Sequence, residues 1–191
     1  MELSVQLYLA LLACVAVGRL LELRHSRRNQ QLLFEAGATK SPEPAYPWMV
    51  ALHTAILGGS ALEVVALHRP WNPWLGSLSL VAFLAANAAR WWVMRTLGTR
   101  WNVQVLSASR LGVITAAGPY RWVRHPNYSA VFIEMLALPL IHSAFFVAFF
   151  GALLHAVILY QRVTLEEAVL RRDPSWKAAF EHRPRFLPGL L

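Results

Sequence analysis

The chain has one cysteine, Cys14, among 191 residues. That excludes an internal disulfide and a cysteine-based metal centre. Cys14 lies inside an apolar run, where packing is the expected role. Charge is scarce too. Only 15% of residues are charged, against about 25% in an ordinary soluble domain, while 57% are hydrophobic and mean hydropathy is +0.41. Much of the surface must therefore meet something other than water. Acidic residues are fewest, 10 against 18 Lys+Arg. A basic balance suits either nucleic acid or basic cytoplasmic loops of a membrane protein. The long apolar runs favour the membrane, and no nucleic-acid partner is expected. The ten glycines include no G-x-G, so the Gly-rich turn of a Rossmann dinucleotide site is missing. No basic stretch precedes the first apolar run, so a cleaved leader is not expected.

A bilayer core about 30 Å thick takes about 20 apolar residues in a helix. Residues 3–23, 47–67 and 74–94 each fit. Residues 24–46 are polar and end in a proline-rich loop; 68–73 form a tight turn. Residues 128–160 are apolar for too long to be one span. Pro139, His142 and Ser143 interrupt them, which predicts a hairpin of helices 128–141 and 144–160. Each arm is short, so at least one must be tilted or shielded by protein. The tail 161–191 starts as a continuation of the last helix. The expected fold is all-α and polytopic: a single membrane-embedded domain, 1–191, with five transmembrane helices.

The cations set the expected orientation. With the N-terminus outside, every one of the 18 lysines and arginines except Arg69 lies on the cytoplasmic side, provided Arg19 and Arg90 snorkel there. An odd number of spans then places the C-terminus in the cytoplasm. Trp48, Trp71, Trp74, Trp91, Trp92 and Trp101 fall near span ends, as an interfacial belt would. This is the pattern of an integral membrane protein with its N-terminus outside and its C-terminus in the cytoplasm.

Residues 98–127 are polar, irregular and long for a connection, which marks a functional region. Its end sets Tyr120, Arg121, Arg124, His125 and Tyr128 around Pro119 and Pro126. Pro126 forces His125 out of the helical region, just before a helix start whose N–H groups, near Asn127 to Ala130, can receive an anion. The plainer reading is a basic loop on lipid phosphates. Further on, Arg162 and Glu166 stand four apart on one helix face. They form either a weak surface ion pair or a grip on a zwitterionic ligand. At membrane depth lie Glu134, His53, His155 and Glu63. Each needs a partner or a purpose there.

These residues resemble the isoprenylcysteine carboxyl methyltransferase family of membrane methyltransferases. The matching pieces are Gly118, Tyr120, His125, Pro126 and Tyr128, then Arg162, Glu166, Glu167 and Leu170, then Arg185 to Pro188 near the end. Ala130 stands where the family often has glycine. The resemblance implies a small multi-span fold that binds S-adenosyl-L-methionine at the cytoplasmic face and methylates a lipophilic substrate from the bilayer. Carried onto this chain, it implies a cofactor site of Gln104, Gly112, Val113, Ile114, Thr115, Tyr120, His125, Pro126, Asn127, Tyr128 and Glu166. It sets Arg162 at the acceptor as the catalytic group, with Glu134 as a second substrate-side residue and no metal. The first half looks closer to small bacterial members, some of which O-methylate alkylpyrones or phenolic lipids. The acceptor is therefore either a prenylcysteine-like carboxylate or such a hydroxyl. For a weakly acidic phenol, Glu134, His155 or His53 could serve as base. The alternative class is a non-catalytic lipid-binding or scaffold protein.

Overall fold

The computed structural model describes residues 2–107 and 116–186. It contains six α-helices: α1 (Leu3–Glu35), α2 (Tyr46–Ala66), α3 (Pro73–Leu97), α4 (Pro126–Leu140), α5 (Phe145–Leu170) and the short α6 (Pro174–Phe180). Two short strands, β1 (Thr39–Lys40) and β2 (Leu106–Ser107), pair antiparallel.

Among the described residues, four helices, α1, α2, α3 and α5, are long and apolar enough to cross a bilayer. Their outward faces carry large apolar side chains such as Leu7, Leu20, Leu78, Phe149 and Leu153. The fifth expected span, α4, is the short arm of the hairpin. The hairpin itself forms, with its turn at 141–144, but α4 has 15 residues, roughly 22 Å at 1.5 Å per residue. Its Ala130, Met135, Ala137 and Leu138 are buried, so this arm is the one shielded by protein.

α1 is longer than one span. It runs through the polar residues 24–35 without a break, because Arg, Gln, Glu and Leu are good helix formers. It ends before Gly37, whose φ of +89° is open to glycine at little cost. The added turns bring Ser26 and Asn29 against the loop after α3. Ser26 Oγ accepts from the Val103 N–H at 2.9 Å, and Asn29 Nδ2 donates to the Trp101 carbonyl at 2.7 Å. Trp101 is buried and so does not belong to an interfacial belt. Cys14 is exposed on α1 rather than packed.

Tyr8, Leu12, Val64, Phe83 and Leu138 form the core where α1 to α4 meet. Glu63 lies under the start of α5. It accepts from the Phe146 and Val147 N–H groups at 3.1 and 2.8 Å and from Arg69 Nη2 at 2.7 Å. It thus satisfies two donors that a helix start leaves open and favours the positive end of the helix dipole.

Arg19 and Arg90 are paired with carboxylates inside the bundle. Glu134 is fully buried and bonds Arg19 and, at 3.1 Å, Arg90; Glu22 bonds the same two arginines at 2.6 Å each. Two cations and two anions from α1, α3 and α4 close a neutral ring.

Candidate active site

A large chamber of about 830 Å³ opens between α1, α2, α4 and α5 under the connecting loops. One wall is apolar and includes Leu20, Leu23, Leu57, Ile158 and Leu159. The other end is polar, with Gln104, Tyr120, His125, Asn127, Tyr128, Arg162 and Glu166. Of the residues expected at the site, these seven are brought together. Pro126 is the first residue of α4 and sets its start. Gly112, Val113, Ile114 and Thr115 lie outside the described residues, as do Leu187 and Pro188. Glu134 is not in the chamber wall. It stands behind Arg19 and Arg90, which are.

The approach to α4 is built as the sequence requires. Gly118 has φ +56°, and a Cβ there would come within 2.5 Å of Thr96 Oγ1, so only glycine lets this turn press against α3. Tyr120 follows in a short 3-10 turn. Burial, reinforced by the Glu166 carboxylate, holds its hydroxyl well above the ordinary tyrosine range. His125 caps α4 with φ −126° and ψ 58°, outside the helical region as Pro126 demands. The N–H groups of Tyr128 and Ser129 turn back onto the His125 carbonyl at 3.1 and 3.3 Å. Those two N–H groups are engaged within the turn.

Arg162 and Glu166 share a face of α5 but take different partners. Tyr128 Oη donates to Glu166 Oε2. Arg162 lies 2.9 Å from Glu43 Oε1, donates to the Val103 carbonyl at 2.8 Å, and touches Met49 Sδ. Its guanidinium also sits 5.5 Å from the Tyr128 ring centre. Arg162 and Glu166 are thus not each other's ion partner; Glu166 is held in a part-buried contact and Arg162 in a buried one.

Glu43 and Glu167 complete the site. Glu43 comes from the loop before α2 and accepts from the Val105 N–H at 3.1 Å. Burial pushes its carboxyl above the ordinary range, against the pull of Arg162 and of that N–H. Glu167 gathers His125 at 3.1 Å, Arg124 at 3.3 Å, Arg171 at 3.1 Å and Arg185 at 2.9 Å. Through Arg124 and Arg185 it fastens the chain end beside the site. The Arg124 and His125 N–H groups donate to the Pro184 and Arg185 carbonyls at 2.9 and 3.0 Å. Arg185 gains basicity from the Glu167 carboxylate. The clue in the sequence was an acidic residue beside Glu166 in a chain with a basic tail.

Removing one partner from a buried ion pair typically costs about 3–5 kcal/mol. Glu167→Gln should therefore lower the thermal unfolding midpoint in detergent and release residues 183–186, seen as faster tryptic cleavage after Arg185. A variant as stable as the parent would show that the cluster contributes little.

Several buried polar atoms in the chamber wall have no hydrogen-bond partner among the described residues: Asn127 Oδ1, His53 Nε2, His155 Nδ1, Trp101 Nε1 and Arg162 Nε. His53 and His155 meet edge to face at 5.1 Å between ring centres. Groups of this kind cost free energy unless something bonds to them.

A family model for isoprenylcysteine carboxyl methyltransferase (ICMT) matches residues 78–172. The matched stretch contains the α4 approach, the hairpin, Arg162, Glu166 and Glu167. The uncharacterized protein YpbQ of Bacillus subtilis (strain 168) is 30% identical over 162 residues, which is 84% of this chain and 95% of that protein. The chain belongs to the isoprenylcysteine carboxyl methyltransferase family. An uncharacterized protein of Haemophilus influenzae is 24% identical over 159 residues, 83% of this chain and 91% of that one. Family membership and the four apolar helices together make this an integral membrane protein.

Proposed function

We propose that this ICMT-family chain is an S-adenosyl-L-methionine-dependent O-methyltransferase acting on a lipophilic acceptor. The observation that carries the reading is one chamber with two unlike ends. A polar end carries the family's Tyr120, His125, Tyr128 and Glu166, and an apolar wall from α1, α2 and α5 suits a lipid tail.

The polar end fits the cofactor. Glu166 offers a carboxylate for an ammonium group. Asn127 Oδ1 is an unpartnered acceptor. Tyr120, Trp176 and Phe180 form an aromatic corner, with ring centres 6.5 and 5.7 Å apart along it, to which a flat base can stack. Gly112 to Thr115 belong to the same proposed site through the family motif. When bound, S-adenosylmethionine supplies a methyl group on a sulfonium. The residues contribute by holding both reactants in line, which can account for much of the barrier reduction, and by keeping water out.

Arg162 stands where α5 passes between the polar end and the apolar wall. Held on three sides, it presents a fixed charge to the acceptor oxygen. A carboxylate acceptor reacts ionised. A hydroxyl must lose a proton, and His53 and His155, both in the chamber wall, are the candidate bases. Glu134, already engaged by two arginines, is not assigned that role. In the membrane, the N-terminus lies outside and the C-terminus in the cytoplasm. α4 counts as a short fifth crossing, so the polar end opens on the cytoplasmic face.

The test is incubation of purified protein with methyl-labelled cofactor and bacterial lipid extract, followed by mass spectrometry. Transfer of label to a lipid supports the reading, and a methyl ester or a methyl ether identifies the acceptor. No labelled lipid or lipidated peptide would count against it.

A further inference from the structure

The connection between α1 and α2, residues 36–45, has no counterpart among the motif residues, yet it closes over the site. β1 pairs with β2 through Thr39↔Ser107 and Lys40↔Leu106. The Ser41 N–H donates to the Val105 carbonyl at 3.1 Å. Next, Glu43 turns inward. One of its oxygens takes the Val105 N–H, and the other stands 2.9 Å from Arg162 Nε. Both side chains are almost completely buried, at 1% and 5% exposure. Arg162 binds the far side of the same loop through Val103. One buried guanidinium therefore joins three segments that are distant in sequence: the strap, the loop after α3, and α5.

We infer that Glu43 is a positioning residue for Arg162, and that residues 36–45 act as a strap whose latching on Arg162 is required for methyl transfer. The inference rests on the proposed role of Arg162 at the acceptor. Glu43 lines a small separate recess with Lys40, Tyr46 and Gln104, and is not in the main chamber wall. It acts through Arg162, not on the acceptor. The guanidinium has five donors in a planar fork. Nη2 is bonded to the Val103 carbonyl and Nη1 touches Met49 Sδ, while Nε and Glu43 Oε1 stand 2.9 Å apart as an ion pair outside hydrogen-bond geometry; together these restrict rotation of the fork about its stem. Breaking the latch frees the fork and loosens the strap together.

Lys40 is exposed on the strap and gives a readout that needs no substrate. In detergent micelles, trypsin should cut the parent slowly after Lys40. Glu43→Gln should be cut about tenfold faster at that bond, with cuts after Arg27 and Arg28 unchanged. Arg162→Met should have the same effect. The double variant should be cut no faster than either single one, since contacting partners are non-additive. Multiplying effects, or a parent-like rate in Glu43→Gln, would overturn the latch. In the methylation assay, Glu43→Gln should lose turnover at least tenfold with cofactor affinity within about threefold, and Glu43→Asp should recover part of the loss. A fast-cut Glu43→Gln with parental turnover would overturn the coupling. A parent that never transfers methyl would instead sink the proposed function and leave the tryptic result standing.

Discussion

Arg162→Lys should lower methyl transfer by at least about 100-fold, or 2.7 kcal/mol of barrier, while cofactor binding changes by no more than about threefold. Charge is kept in this variant, so the loss isolates geometry. A lysine ammonium is a compact point charge on a flexible stem and cannot reproduce a planar fork. Arg162 spends that fork on Glu43, Val103 and Met49, and a lysine can satisfy only part of the set. Cofactor binding should survive, because Glu166 takes its hydrogen bond from Tyr128 and not from Arg162. Single-turnover rates and equilibrium binding measured on the same preparation separate the two effects. An equal loss in both would assign Arg162 to the cofactor side.

Glu134→Leu should be among the most destabilising single changes in the protein, at about 3–5 kcal/mol. Its carboxylate is completely enclosed and faces two arginines. Without it, Glu22 is left alone against Arg19 and Arg90. The double variant Glu134→Leu with Arg90→Met should regain most of the loss, since Arg19 and Glu22 then remain as a balanced pair at 2.6 Å. Thermal unfolding in detergent checks both. If the single change is mild, the ring of charges is not a stability element. If the double variant is worse than the single, Arg90 has a partner beyond the two carboxylates.

The spans and the hairpin were legible because bilayer thickness imposes a length on apolar runs. Ile141 to Ala144 could be placed as the turn from Pro139, His142 and Ser143 alone. What composition hides is pairing across distance. Arg19 and Arg90 read as cations near span ends, and Glu134 as an isolated carboxylate. Only packing of α1, α3 and α4 shows that they neutralise one another. The long α1 was masked in a similar way. Its last three turns are polar, which resembles a loop to a hydropathy reading, but polar residues with good helix propensity extend a helix that is already nucleated.

The site divides along the same line. Tyr120, His125, Asn127, Tyr128, Arg162 and Glu166 were legible from motif spacing, and they do converge on one chamber. Glu43 was not, because nothing local distinguishes a glutamate between two prolines in a loop. Its significance comes from α5 and β2. Glu167 was visible as a neighbour of Glu166. That it would collect Arg124, His125, Arg171 and Arg185 depended on the chain end folding back beside α4, which no spacing rule states.

The central claim is that the polar end of the chamber binds S-adenosylmethionine through Glu166. Equilibrium binding of the radiolabelled cofactor to purified protein tests it most directly. Saturable binding at one site per chain, weakened at least tenfold in Glu166→Gln, is the expected result. Absence of saturable binding, or an affinity that Glu166→Gln leaves unchanged, would contradict it.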